Sequence, residues 1–228
     1  MSCLIEILRE KTSCMKKYIG MAWPSDGLND SEYWRLIPKN IELLIARYPV
    51  SGSLNLKDLK KEANLSNIYK VIKKLHVKKL NLLILCDFAS SVLNENYISN
   101  SELFFKTKLK IPCLNIVSST IKFITNRKKK ITIISPYSEN ITKKFINLLP
   151  NTNNVNSVKS LSLNSEVNIS NIYKELKTLN LKKSDGDLIF IGGGVTITNF
   201  KKKIENSLNI KVYSSPLLII KDAIKIIN

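Results

Sequence analysis

Short apolar, β-rich segments alternate along this chain with longer stretches of helical spacing, and that alternation limits its fold more than any other feature. Residues 18–23 read as a strand ending at Pro24. Asp30 or Ser31 can cap a following helix that runs through Trp34, Leu36, Ile41, Leu44 and Ile45, with Pro38 kinking or dividing it. A second strand is expected near residues 47–50, and residues 56–77 carry helical spacing with Ala63, Ile68, Val71, Ile72 and Leu75 on one face. Residues 81–86 form an almost uninterrupted apolar run, as expected at the centre of a parallel sheet. The pattern then restarts: a strand at 130–135, a helix at 139–149, a polar loop at 151–156, a helix at 168–181, and a buried strand at 187–191. A helix through Phe200 and Ile204, a strand at 211–214 and a helix at 216–227 complete it. Strands separated by helical segments are the signature of βαβ units. The expected fold class is α/β.

Composition removes several classes of function. No run reaches the ~20 apolar residues that a membrane-spanning helix needs. Glu6, Arg9, Glu10 and Lys11 interrupt what could have been the apolar part of a signal peptide, so a soluble, cytoplasmic protein is expected, with no membrane partner. Cys3, Cys14, Cys86 and Cys113 show no CxxC spacing, and His76 is the only histidine. That pattern suggests no metal site and no disulfide framework. The formal net charge is +18, but the lysines are scattered over helix faces and ends without interleaved aromatics. An abundance of Asn, Ile and Lys fits A+T-rich coding, so nucleic acid is not expected as a partner.

Four strands end in residues suited to a site. These are Pro24 with Ser25 and Asp26, Cys86 with Asp87, Pro136 with Tyr137, and the run Gly192, Gly193 and Gly194. Ligands in open α/β sheets bind beyond the carboxyl ends of strands, so the four turns should face a common cleft. At a strand-to-helix turn, backbone N–H groups and the helix dipole favour both a thiolate and a bound carboxylate. Cys86 is placed for that, although the position also suits a cysteine packed as a small hydrophobe. The glycine run lets a ligand approach the backbone closely, or simply makes a tight turn; it lacks GxGxxG spacing.

The segment 19–25 (Ile-Gly-Met-Ala-Trp-Pro-Ser), followed by Glu32, Pro38 and Arg47, resembles the N-terminal signature of the maleate isomerase and arylmalonate decarboxylase branch of the aspartate/glutamate racemase superfamily. Residues 85–90 (Leu-Cys-Asp-Phe-Ala-Ser) fall where that family has a catalytic Cys-Thr-Ser-Gly-Ser turn. Residues 130–137, ending Ser135-Pro136-Tyr137, are similar to its strand ending in Thr-Pro-Tyr, and 187–198 to the turn carrying a second cysteine. Residues 205–215 resemble a further family segment, so the likeness covers about 18–228.

The resemblance implies two pseudo-symmetric lobes, each a mainly parallel sheet flanked by helices, with an active-site cleft between them. Residues 18–116 plus 215–228 would form the first lobe and 117–214 the second. It implies no cofactor and a small carboxylic acid as substrate. Cys86 and Tyr137 would be catalytic; Ser25, Asp26, Asp87, Ser90, Ser135, Gly193, Gly194 and Val195 would line the substrate. Such folds commonly self-associate, which adds a homo-oligomer to the expectations. Two departures stand out: Gly193 occupies the place of the second thiol, and Asp87 and Phe88 replace small hydroxyl residues. With one thiol in the first lobe, cis–trans isomerisation of a maleate-like diacid is the leading expectation. Decarboxylation of a malonate-type acid, or acid binding without turnover, are the alternatives.

Overall fold

The computed structural model describes residues 16–25, 30–50, 57–58, 61, 64–75, 79–94, 96–161, 176 and 178–228. Asp26, His76, Cys3, Cys14 and most of the helix expected at 168–181 lie outside them.

Two four-stranded parallel sheets form the framework. The first contains β1 (Lys17–Pro24), β2 (Ile41–Tyr48), β3 (Leu82–Leu85) and β4 (Cys113–Asn115), in the order β2-β1-β3-β4. The second contains β5 (Ile131–Ser135), β6 (Val155–Ser160), β7 (Asp187–Phe190) and β8 (Val212–Ser214), in the equivalent order β6-β5-β7-β8. All pairings are parallel, which requires helical crossovers. In the first half these helices are α1 (Ser31–Leu36), α2 (Leu65–Ile72), α3 (Phe88–Leu93) and α4 (Tyr97–Leu109). Then α5 (Ile116–Thr125) leads into the second sheet, which α6 (Glu139–Asn147) and α7 (Thr198–Leu208) cover, and α8 (Ser215–Ile227) follows β8.

The central strands are buried on both faces because helices cover both. All four residues of β3 and of β7 are buried, which is why each reads as a continuous apolar run. Helix α8 begins with Pro216 in its first turn and is capped by Ser214, whose hydroxyl accepts from Leu217 N at 3.3 Å. It packs against α5, α1 and β3, returning to the first sheet after the second is complete.

Three expectations are corrected. The helix starting at Ser31 stops at Leu36, and residues 41–48 form strand β2 alongside β1. Pro38 disfavours continuation of the helix, and the apolar spacing at Ile41, Leu44 and Ile45 suited a strand buried on both sides as well as a helix. The strand expected at 47–50 is the end of β2, which stops at Tyr48. The polar loop expected at 151–156 ends early, because Val155–Ser160 pairs with β5 as an edge strand with alternating exposure. Its Asn and Ser content is what an outward-facing edge tolerates.

Candidate active site

The turns leaving β3, β5 and β7, at the carboxyl ends of their strands, meet. Cys86 follows β3 directly, its N–H donating to Ala22 O at 3.2 Å, and is 2% exposed. Across from it lies the glycine turn after β7. A Cβ built on Gly193 would fall 2.2 Å from the carbonyl oxygen of Cys86, so this close approach requires glycine. A side chain at position 193 would run into the backbone of Cys86.

Tyr33 of α1 holds the two turns together. It is fully buried, and its hydroxyl donates to Gly193 O at 2.9 Å. The same phenol lies close enough to the Cys86 thiol for each to influence the other's protonation. A phenol has one proton to give. While it serves Gly193 O, the neutral thiol can donate to the phenol oxygen, but a thiolate would have to compete for that proton. Burial pushes the Cys86 thiol well above its ordinary pKa; the Tyr33 hydrogen bond opposes that rise, and the nearby Asp87 charge adds to it. In this closed arrangement the thiol is protonated at neutral pH.

Asp87 caps α3. Its Oδ1 accepts from Ser90 N at 3.0 Å and its Oδ2 from the Tyr48 hydroxyl at 2.9 Å. Its carboxylate is thus directed into the first lobe's own scaffold. Phe88, the next residue, is 1% exposed and stacks on Tyr137 across the lobes, with centroids 5.5 Å apart and planes 13° apart; Phe145 completes the cluster at 5.2 Å. Tyr137 also reaches the glycine turn, its hydroxyl lying 3.1 Å from where a Gly192 Cβ would be. Gly192 has φ +130°, a conformation that side chains rarely adopt.

The remaining expected residues divide into structural and unpartnered groups. Ser135 is buried, sharing a 2.6 Å hydrogen bond with Thr142 and accepting from Tyr137 N at 3.2 Å, so it shapes the turn that carries Tyr137. Ser25 is exposed at the end of β1, its hydroxyl accepting from Val50 N at 3.1 Å. Ser90 is fully buried and its hydroxyl has no hydrogen-bond partner among the described residues. Val195 is buried against the glycine turn, and Gly194 is partly exposed.

Two contributors escaped the sequence reading. Tyr33 is one. Glu32 is the other: it is fully buried, and its carboxylate accepts from Ile197 N at 3.2 Å and Thr198 N at 3.3 Å, at the start of α7 in the other half. An acid there meets the positive end of the helix dipole. Nearby, Arg35 donates to Asn199 Oδ1 at 2.7 Å. The available signal was Glu32 within the N-terminal signature, a charged residue with no obvious surface role beside an aromatic. No group of three or more His, Cys, Asp or Glu residues suited to a metal ion occurs among the described residues. No described helix is long and apolar enough to cross a membrane.

No protein-family model matches the sequence, and no curated protein does. Solved structures do match. The maleate isomerase Iso from Pseudomonas putida S16 superposes with a TM-score of 0.76 at 12% identity, covering 92% of each chain. Arylmalonate decarboxylase gives 0.69 at 14% identity, again over 92% of each chain. A Nocardia farcinica maleate cis-trans isomerase carrying a covalently bound succinylcysteine intermediate gives 0.73 at 11% identity over 92% of each. These likenesses are of fold, at a level of identity that leaves individual side chains to be judged from their own surroundings. The chain has the two-lobed α/β fold seen in the maleate isomerase and arylmalonate decarboxylase structures.

Proposed function

We propose that this protein is a cofactor-independent, cytoplasmic isomerase acting beside the carboxylate of a small dicarboxylic acid, with Cys86 as its single thiol. The observation that carries this reading is the meeting of the Cys86 and glycine turns, where Gly193 lies against the Cys86 backbone and Tyr33 donates to Gly193 O. Separation of the lobes breaks the bond to Gly193 O and releases the phenol proton toward a Cys86 thiolate. It also admits water and an acid, which lifts the desolvation that keeps the thiol protonated.

Isomerisation of a cis diacid fits one thiol. The thiolate forms a bond to one alkene carbon while the π electrons move toward the neighbouring carboxylate. The former double bond then rotates, and the electron pair returns to expel the thiolate. No proton need be supplied and none is lost, so Gly193 in place of a second thiol does not block the cycle. Two-base racemisation, in contrast, would need that second group. Backbone N–H groups of the Gly193–Gly194 turn and the Tyr137 hydroxyl are the donors we assign to the developing charge, with Ser90 as a further unused hydroxyl. We assign 18–116 with 215–228 to the lobe bearing Cys86 and 117–214 to the lobe bearing Tyr137 and Gly193. The packing of α8 on α1, β3 and β4 supports placing 215–228 with the first lobe.

The P. putida and N. farcinica structures are of maleate isomerases, and the latter's succinylcysteine shows that a thiol on this fold can take up a four-carbon diacid. A second reading, acid binding without turnover, is favoured by one contact: Phe88 stacked on Tyr137 fills space between the lobes. Incubation with maleate, followed by proton NMR, separates the two. Fumarate formation that is abolished in Cys86→Ser supports the isomerase. Protection of Cys86 from iodoacetamide by maleate without product supports the binding protein. Neither turnover nor protection with maleate, or with a malonate-type acid, overturns both.

A further inference from the structure

Away from the Cys86 turn, a cavity of about 410 Å³ opens where α5, β8 and α8 come together. These are the elements by which the chain leaves the first sheet and returns to it, so the cavity lies at the crossover between the lobes. Its wall carries Lys122 and Arg127 from the end of α5 and the turn after it, and Lys221 and Lys225 from successive turns of α8. Phe123 and Tyr213 give it an aromatic side, their centroids 4.6 Å apart.

The charge here is not balanced. Arg127 is committed to Asp187 and donates to the Tyr213 hydroxyl at 3.0 Å, while its Nε is buried with no partner among the described residues. Lys122, Lys221 and Lys225 form no ion pair among the described residues, and Asp222 is the one carboxylate on the wall. Arg127 and Lys221 both lie over the Tyr213 ring, at 5.1 and 5.7 Å from its centroid, with Lys201 at 6.0 Å. Desolvation and the neighbouring cations, Lys201 and Lys225 foremost, hold the Lys221 ammonium below its usual range. Three ammonium groups without an ion pair among the described residues thus line one concave, partly aromatic wall, where a bound anion would offset the like charge around Lys221.

We infer that this cavity is a binding site for a small, multiply charged anion of the pyrophosphate or polycarboxylate class. Its volume falls within the ~300–1,000 Å³ of ordinary ligand pockets. Lysines serve as point charges toward phosphate or carboxylate oxygens, and the ring faces bound the anion's flank. Occupation bridges α5 and α8 and so restrains the crossover between the lobes. The site is independent of the chemistry proposed for Cys86, and its test does not use turnover.

The experiment is titration of the full chain with pyrophosphate and, separately, citrate, read by calorimetry and by thermal denaturation. Lys221→Gln/Lys225→Gln and the single variant Lys122→Gln are compared with Lys106→Gln/Lys108→Gln, which removes two exposed charges from α4. Each unliganded variant is first shown to unfold cooperatively. Saturable binding is expected in the wild type and in the α4 control, weakened at least tenfold in the α8 double variant and measurably in Lys122→Gln. Preference for one anion over the other identifies the ligand's headgroup. Absence of saturable binding in the wild type overturns the inference. So does equal weakening in the α4 control, which would mean general attraction to a basic surface.

Discussion

Replacing Gly193 by Ala tests the contact on which the closed arrangement depends. The new Cβ would lie 2.2 Å from Cys86 O, whereas real Cβ contacts essentially never fall below 3.0 Å. The neighbour is a backbone carbonyl at the end of a central strand, so one lobe must shift by most of an ångström. Overpacking of this kind costs about 1–3 kcal/mol. Ala also narrows the unfolded ensemble, which returns about 0.4–1 kcal/mol because no left-handed φ is required at this residue. The net loss is at most about 2.6 kcal/mol, which in a domain of this size lowers Tm by up to roughly 10 °C. Gly20→Ala is the control, since its Cβ would meet Leu80 Cδ1 at 2.8 Å, the mobile end of a side chain, and should cost less. Thermal denaturation followed by circular dichroism measures both. Alkylation of Cys86, read by peptide mass mapping, measures the predicted loosening: the rate should rise in Gly193→Ala and stay unchanged in Gly20→Ala. An unaltered Tm together with an unaltered alkylation rate in Gly193→Ala would refute the reasoning.

Asp87→Ala should destabilise by about 2–3 kcal/mol, since it removes the α3 cap and strands the Tyr48 hydroxyl, 3% exposed, without its acceptor. Asp87→Asn keeps an acceptor oxygen and should retain most of that stability in urea titration; equal losses would contradict the capping role. Alkaline pH should unfold the protein early. Burial raises the pKa values of Cys86, Tyr33, Tyr48 and Tyr97 above those of the unfolded chain, so the stability they contribute is complete at neutral pH and falls as pH climbs past ordinary thiol and phenol values. Each group contributes a loss of about 1.4 kcal/mol per pH unit once it ionises in the unfolded chain. Phenolate absorbance at 295 nm should therefore rise together with loss of circular dichroism between about pH 9 and 11; smooth titration of all tyrosines in a folded protein would count against it.

How much of this was legible depended on whether a segment's environment leaves one pattern or two. β3 and β7 are buried on both faces, and a run of four apolar residues beside a turn permits little else. β2 was misread because Ile41, Leu44 and Ile45 satisfy helical spacing, and only pairing with β1 decides between the periods. β6 was hidden by its polar outward face. The site was partly visible: Cys86, Tyr137 and Gly193 stand at strand ends, where parallel sheets concentrate chemistry. Tyr33 and Glu32 were not, because their partners are backbone atoms 160 or more positions away, and no local spacing encodes those. Asp87 shows the converse. The resemblance set it against a substrate, yet its Oδ1 accepts from Ser90 N as an N-cap, and that local bond accounts for it.

The return of α8 to the first sheet bears on synthesis. The surface formed by α5, α1 and β3 has no cover until the whole of the second sheet has been made. At ~5–20 residues per second, that interval lasts on the order of 5–20 s. During it, apolar residues of α5 such as Ile116, Val117 and Ile124, all fully buried in the finished protein, lack the cover that α8 later supplies. The emerging chain therefore carries an incomplete first core until its last helix is made, even though the first sheet is contiguous in sequence.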